Sequence, residues 1–285
     1  MVTSKAGARW RRPAFSFFAV VAATVAVAPA SARDLPWPRE VKARYRMTFN
    51  GFDVGVYNFT LSYSGQTYSA VGKTKITALL GAFKWSGTFT SSGSIDNAGP
   101  RPASYLMRYK TRSNVKSVKM SFDGTGVKSV ALIPDKPPDP DVIKVKPDNL
   151  EHVFDPLSAT MAISDASGPG VCDRTIPVFD GRARFNLKMS FKRREAIKEK
   201  HPSGQPRELV VCRVKYEPIA GHKPKDFVRP WIKYDQIEIA LRAIPSAGIY
   251  VPYRILIPST IGPAAMTAEE IHITAANNSQ IALKQ

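Results

Sequence analysis

The chain has 285 residues and is strongly basic, with 41 Lys and Arg residues against 23 Asp and Glu residues and a formal net charge of +18. This length is sufficient for one large domain with a substantial core. The longest apolar run, residues 14–28, is shorter than the roughly 20 residues of a membrane-spanning helix, which excludes a multispanning helical membrane protein.

The first 32 residues have the order of an export signal. Three arginines within residues 9–12 precede the apolar run, and Ala30-Ser31-Ala32 supplies the small residues of a cleavage site. We expect cleavage after Ala32, which leaves a soluble periplasmic domain over residues 33–285, of 285 − 32 = 253 residues. Since the signal also contains Lys5, the mature charge is 18 − 4 = +14. A retained membrane anchor is the alternative, which the shortness of the apolar run disfavours.

From Val41 onward, short runs of alternating apolar and polar residues are separated by turn residues. Hairpin turns are indicated at Asn50-Gly51, Ser64-Gly65 and Asp123-Gly124. The pattern predicts a mostly β fold, a single highly curved antiparallel sheet of about 12–14 strands that forms an open or closed barrel in one domain.

One segment changes to a helical period. Asp155 can cap a helix, Pro156 suits its first turn, and Leu157 and Met161 lie four residues apart on one face. We predict a short helix over residues 156–165 that packs on the sheet or closes one barrel end. The alternative is that Asp155 belongs to an active site.

The stretch "VFDGRARF" (178–185) predicts a hairpin. A two-residue turn at Asp180-Gly181 would pair Phe179 with Arg182, Val178 with Ala183 and Ile176 with Phe185. The apolar residues from Ala183 to Phe191 then alternate with polar ones, which indicates one face in a core and one in water. Asp180 is therefore expected to be a turn residue rather than a catalytic acid.

Two cysteines remain after the predicted cleavage site, Cys172 and Cys212. Alternation places both on apolar faces, and an isolated pair in an oxidising compartment is more often a disulfide than two free thiols. The alternative is a reactive cysteine, but there is no Cys-x-x-Cys spacing and no histidine close by in sequence.

A basic face is the main surface feature of the sequence. Its residues fall on outward positions of strands expected to be adjacent, and it could be a solvated surface or a docking site for an anionic envelope component, weakened by salt. The candidate binding residues are Arg182, Arg184, Lys188, Lys192, Arg213 and Lys215.

No catalytic or metal-binding motif was identified in the mature chain. It contains no Gly-x-Ser-x-Gly, His-Glu-x-x-His, phosphate-loop or dinucleotide-binding glycine pattern, and its four histidines are scattered without ligand spacing. We therefore expect no catalytic residues, no metal and no cofactor.

Four segments carry a resemblance to a known family: "FDPLSA" (154–159), the Cys172 and "VFDGR" hairpin, "VVCRVKYEPIAG" (210–221) and "YVPYRILIPSTIGPAAM" (250–266). Over roughly residues 43–274 the chain resembles the exported bacterial domain-of-unknown-function family 3108. The resemblance implies export and a mostly antiparallel β fold, with no catalytic residues to transfer. In architecture it is similar to the open-barrel lipoprotein-localisation factors and the envelope-integrity β-spiral proteins, which is fold-level analogy.

Three hypotheses of function follow. The first is a non-enzymatic periplasmic protein of the cell envelope whose open barrel binds an apolar or amphipathic ligand such as a lipid, with no nucleic acid partner. The second is a structural or interaction protein that docks on peptidoglycan or another envelope protein through the basic face. The third is an enzyme of cell-wall or lipid metabolism.

Overall fold

The fold is described from a computed structural model. It describes residues 1–3, 37–78, 81–111, 114–135, 139–166, 170–199, 202–224, 237–259 and 261–284. The described strands all belong to one compact unit, residues 32–285. Residues 4–32 of the predicted signal segment, including the cleavage site at Ala30-Ser31-Ala32, lie outside the described residues. Across the described ranges, no helix combines the length and apolarity needed to cross a membrane.

The described residues form fourteen strands and one α-helix, α1 (Pro156–Ser164). Two short 3-10 helices, Pro147–Leu150 and Pro245–Ala247, accompany them. The strands are β1 (Glu40–Phe49), β2 (Phe52–Ser64), β3 (Thr67–Ala78), β4 (Phe83–Asp96), β5 (Gly99–Thr111), β6 (Asn114–Phe122), β7 (Val127–Ile133), β8 (Arg174–Phe179), β9 (Arg184–Ala196), β10 (Glu208–Ala220), β11 (Ile237–Ile244), β12 (Ile249–Ile257), β13 (Ala264–Thr274) and β14 (Gln280–Lys284).

All fourteen strands belong to one antiparallel sheet, which confirms the predicted fold class. Its order is β7-β6-β5-β4-β3-β2-β1-β13-β12-β11-β10-β9-β8, with β14 paired to β13. Strands β1–β7 therefore form a meander, and β1 pairs on its other edge with β13 of the C-terminal strands. One edge of β13 is shared, because residues 264–267 pair with β12 and residues 270–274 pair with β14.

The sheet does not close by strand pairing, because its outer strands β7 and β8 lie at opposite ends of the strand order. A short segment, residues 151–154, lies between them. His152 N donates to Thr125 O beside β7 (2.8 Å), Phe154 N donates to Pro177 O in β8 (2.9 Å), and Phe179 N donates back to Phe154 O (2.9 Å). The molecule is thus an open barrel whose seam is bridged by single hydrogen bonds rather than by a ladder.

Helix α1 follows this seam and is buried. The prediction of a helix over 156–165 is confirmed, with the end one residue earlier, and Asp155 is its N-cap because its carboxylate accepts from Leu157 N (2.9 Å) and Ser158 N (3.1 Å). The second carboxylate oxygen accepts from Ser91 Oγ of β4 (2.8 Å), and Ser91 Oγ also lies 3.2 Å from Tyr68 Oη of β3. One buried aspartate therefore both starts the helix and fixes it to the sheet.

Cys172 and Cys212 form a disulfide with Cα atoms 5.3 Å apart. Both cysteines are buried within an apolar cluster that includes Ile176, Val214 and Leu241. The bond joins the segment before β8 to β10 across the intervening β9. The predicted pairing and the predicted inward orientation of both side chains agree with this arrangement.

The Asp180-Gly181 turn differs from the predicted two-residue form. Asp180 is a turn residue, but Val178 pairs with Phe185 and Phe179 with Arg184, so the loop has four residues. Asp180 Oδ1 accepts from the backbone N of Arg182 (2.9 Å) and Ala183 (2.8 Å), and of the pair only Gly181 has a positive φ. A type I′ turn requires positive φ at both positions, so the aspartate side chain replaces that turn with a wider one.

The register error at this hairpin is two residues, so the predicted faces survive. At Asn50-Gly51, in contrast, both φ values are positive and the loop has the predicted two residues between Phe49 and Phe52. One predicted inward residue of β9 is wrong: Phe191 is 60% exposed. A β-bulge beside it, which leaves Lys192 without a partner residue on β10, bends the strand at that point.

Candidate functional site: an apolar cavity and a mixed-charge face

A cavity of about 380 Å³ lies inside the barrel. Its walls are the inward-facing side chains of β1–β4, β12 and β13, and α1 covers one side. On β1 the lining residues are Val41, Ala43, Tyr45 and Met47, every second residue of the strand. The same alternation that predicted a half-buried sheet therefore defines the cavity wall.

The lining is apolar and aromatic, and it contains no charged side chain within the described ranges. Five aromatic residues of β1, β2 and β4 and the N-terminal Trp37 contribute rings. Two glycines make room for them: a Cβ atom on Gly72 would lie 2.6 Å from Tyr57 Oη, and one on Gly87 would lie 2.6 Å from the Trp85 ring. Replacement of either glycine would force an aromatic side chain to move.

Three hydroxyl groups of the lining donate to backbone carbonyls of the protein. Tyr45 Oη donates to Pro252 O (3.0 Å), Thr74 Oγ1 to Val56 O (3.1 Å) and Thr160 Oγ1 to Pro156 O (3.0 Å). Burial raises the pKa of both Tyr45 and Tyr57, so their hydroxyls stay neutral. Among the described residues Tyr57 Oη has no hydrogen-bond partner, which leaves it available to a polar group on a ligand.

The cavity is sealed at one end and open at the other. Near α1 its lining residues, such as Trp37, Leu61 and Leu157, are at most 5% exposed. At the opposite end of the same strands Met47, Ile76 and Trp85 are only half-buried. The mouth of the cavity therefore faces the β1–β2, β3–β4 and β12–β13 turns.

The predicted basic face is located mainly on β9 and β10, which pair as expected. Lys188 lies opposite Lys215, and Arg213 lies opposite Ser190 on β9 and Glu238 on β11. Arg182 does not belong to a strand and lies exposed in the hairpin turn. Arg184 is half-buried and donates to Asn149 O (3.0 Å) and to Asn186 Oδ1 (2.8 Å), so it links β9 to the 3-10 helix Pro147–Leu150.

Three glutamates form ion pairs with cations of this face. Glu217 accepts from Lys188 (3.1 Å), and Glu238 pairs with Lys192. A further pair outside the predicted set, Arg254 with Glu195 (2.7 Å), extends the network. Arg182, Arg213 and Lys215 are the exposed members that make no ion pair with any described residue. The surface is therefore one of mixed charge with three exposed, unpaired cations.

Two of the histidines considered as metal ligands contact polar side chains of the protein instead. His272 Nε2 lies 2.8 Å from Glu270, and His222 Nε2 lies 3.1 Å from Tyr216 Oη. His201 lies outside the described residues. No group of three or more potential metal ligands occurs within the described ranges.

The cavity lining was not identified by sequence reasoning. Its signal was present, since aromatic residues recur at alternate positions of β1, β2 and β4. That pattern also fits a core filled with side chains, and the difference depends on the distance between walls, which alternation does not encode.

The fold and the cavity define an open, barrel-like β protein with an apolar interior. The chain belongs to the family described as protein of unknown function (DUF3108), whose family model matches residues 44–269. It is also similar to the crystal structure of a β-barrel-like protein of domain of unknown function DUF1849 from Brucella abortus. That similarity has a TM-score of 0.49 at 10% identity and covers 84% of this chain and 99% of the other. No curated protein sequence matches the chain.

Proposed function

We propose that this is a non-enzymatic periplasmic protein of the cell envelope that holds an apolar or amphipathic ligand, such as a lipid acyl chain, in the barrel cavity. The observation that supports the proposal is the cavity itself, which is lined by apolar and aromatic side chains and has one open end. A cavity of about 380 Å³ lies within the range of roughly 300–1,000 Å³ that holds small ligands.

The shape of the cavity suits a chain-like ligand. The lining residues Val41 and Met47 are six residues apart on β1, which at 3.3 Å per residue gives a depth of about 20 Å. The bilayer hydrocarbon core is about 30 Å thick, so an acyl chain of one leaflet spans about 15 Å. One extended acyl chain would therefore fit along the wall, with its polar end near the mouth.

Because the described lining contains no charged side chain, we expect an uncharged part of the ligand to enter the cavity. An ionised group would lose its hydration there without gaining a counter-ion, which is strongly unfavourable. The free hydroxyl of Tyr57 can accept or donate one hydrogen bond, so a neutral ester or hydroxyl is the most polar group that we expect inside.

The proposal is tested with a fluorescent fatty acid as the probe. Thr74 lies on the inner face of β3 and lines the cavity, so Thr74→Phe should fill the space and reduce probe affinity by about tenfold or more. Thr88→Phe is the matched control, because Thr88 is exposed on the outer face of β4. Equal affinities of the two variants, or no probe binding by the unmodified protein, would contradict the proposal.

The basic-face hypothesis has less support from the structure. Lys188 and Lys192 are paired with glutamates, and Arg184 is engaged with the protein itself. Docking on peptidoglycan through this face would therefore rest on Arg182, Arg213 and Lys215. We keep the cavity as the proposed site for that reason.

A further inference from the structure

Four large apolar side chains are exposed at the mouth of the cavity. Phe52 is 77% exposed, Phe83 46%, Ile257 39% and Ile261 72%. They come from three different turns, β1–β2, β3–β4 and β12–β13, whose strands line the cavity. We call these four residues the mouth rim.

Two of the turns that carry the mouth rim are linked to each other by hydrogen bonds. Asn50 N donates to Pro263 O (2.9 Å) and Asn50 Nδ2 donates to Ile261 O (2.9 Å), so the β1–β2 turn is attached to the β12–β13 connection. The apolar tips of Phe52 and Ile261 are consequently presented from one linked structure. Large apolar side chains that remain exposed on a fixed rim are typical of an interaction surface.

Cations surround one side of the mouth rim. Lys75, Lys84 and Lys110 lie on the outer faces of β3, β4 and β5, and together with Thr77 and Ser86 they line one shallow outer pocket. None of the three has an ion pair with any described residue. The nearby acids are paired with arginines, Glu269 with Arg44 (3.0 Å) and Asp53 with Arg46 (3.7 Å), so their charge is largely offset.

We propose that the mouth rim docks on the surface of an anionic lipid membrane, with Phe52, Phe83, Ile257 and Ile261 at the acyl boundary and Lys75, Lys84 and Lys110 at the lipid phosphates. Apolar tips flanked by unpaired lysines match both layers of such a surface. This inference deepens the proposed function, because it sets the open end of the cavity against the source of its ligand.

The experiment measures flotation of the protein with vesicles of phosphatidylglycerol and phosphatidylcholine, and with vesicles of phosphatidylcholine alone. The protein is used in the form that the cell accumulates, and all variants are prepared in that form so that any contribution of the N-terminal segment is shared. We expect binding to the anionic vesicles to exceed binding to the neutral ones and to fall as salt is raised.

The contribution of the apolar side chains to vesicle binding is tested by combining Phe52→Ser, Phe83→Ser and Ile261→Ser in one protein. We expect the partition coefficient to fall by about tenfold or more, since three apolar contacts with the bilayer are removed. Phe191→Ser is the control, because Phe191 is 60% exposed on β9, away from the rim. Vesicle binding that the triple variant retains, or that Phe191→Ser abolishes, would overturn the proposal.

The charged part is tested with two matched pairs of substitutions. Lys84→Glu with Lys110→Glu should reduce binding to the anionic vesicles, whereas Arg213→Glu with Lys215→Glu removes the same charge from the other face and should leave it nearly unchanged. If the Arg213 and Lys215 substitutions instead reduced binding more than the Lys84 and Lys110 substitutions, membrane binding would be assigned to β9 and β10. That result would contradict docking through the mouth.

A spectroscopic measurement does not depend on the stability of these variants. Vesicles with brominated acyl chains quench nearby tryptophans, so they should quench the fluorescence of Trp85 at the mouth. The quenched component should disappear in Trp85→Phe, and quenching that persists in this variant would contradict a membrane-facing mouth. Thr74→Phe separates the two proposals, because it should impair fatty-acid binding while vesicle binding continues.

Discussion

The two halves of the sheet use the same alternation of apolar and polar residues but enclose different interiors. Strands β1–β4 carry Tyr45, Tyr57 and Trp85 on their inner face and surround a cavity. Strands β8–β11 fill their interior with side chains such as Val178 and Leu241, both at most 1% exposed. The comparison teaches that alternation decides which residues face inward, whereas the separation of the walls decides whether the interior is hollow or filled.

The disulfide belongs to the filled half and gives the largest expected effect. Cys172→Ser should lower the free energy of unfolding by about 4 kcal/mol, because the bond closes a loop with a sequence separation of 40 residues. Cys212→Ser should give nearly the same loss and the double variant little more, since either change removes the whole bond. Urea denaturation measures this, and additive losses in the double variant would contradict it. Two reactive thiols in denatured, unreduced protein purified from its own cells would also refute the bond.

Truncation of a side chain should distinguish the filled interior from the hollow one. Leu241→Ala leaves a void among close-packed neighbours and should cost about 3 kcal/mol. Ile76→Ala should cost about 1 kcal/mol, because Ile76 is half-buried and already borders empty space. Thermal and urea unfolding of the two variants measure the difference, and equal losses would mean that the cavity is filled by protein in solution.

Asp155 connects the two halves through α1 and should make stability depend on pH. Burial raises the pKa of Asp155 above its ordinary value of 3.8, despite hydrogen bonds from Ser158 and Ser91 that favour its ionised form. The folded state therefore binds this proton more tightly than the unfolded chain does. Its contribution to stability is present below the ordinary pKa and is lost as pH rises through the folded-state pKa.

Asp155→Asn tests this sign. The asparagine can still cap the helix but does not titrate, so the difference in unfolding free energy between the two proteins should shift in favour of Asp155→Asn as pH rises from about 4 to 8. Asp155→Ala removes the cap and should cost about 1–2 kcal/mol. Urea denaturation across this range measures both effects, and a difference that does not change with pH would contradict the raised pKa.

Sequence reasoning predicted the fold class, the helix capped by Asp155 and the Cys172–Cys212 pairing, because each depends on local patterns of capping, alternation and parity. It did not predict the four-residue turn at Asp180, where a side-chain carboxylate competes with the backbone for the amides of Arg182 and Ala183. The bulge opposite Cys212 and the cavity beside Tyr57 arise from long-range strand pairing. The pairing of Lys188 with Glu217 likewise joins residues on two strands.

Native mass spectrometry of the protein purified from its own cells tests the central claim most directly. We expect the unmodified protein and Thr88→Phe to carry an added mass that organic extraction releases as an acyl compound, and Thr74→Phe to lack most of it. Repeated isolation of the unmodified protein at the mass of the polypeptide alone, without an extractable acyl compound, would contradict a ligand-holding cavity.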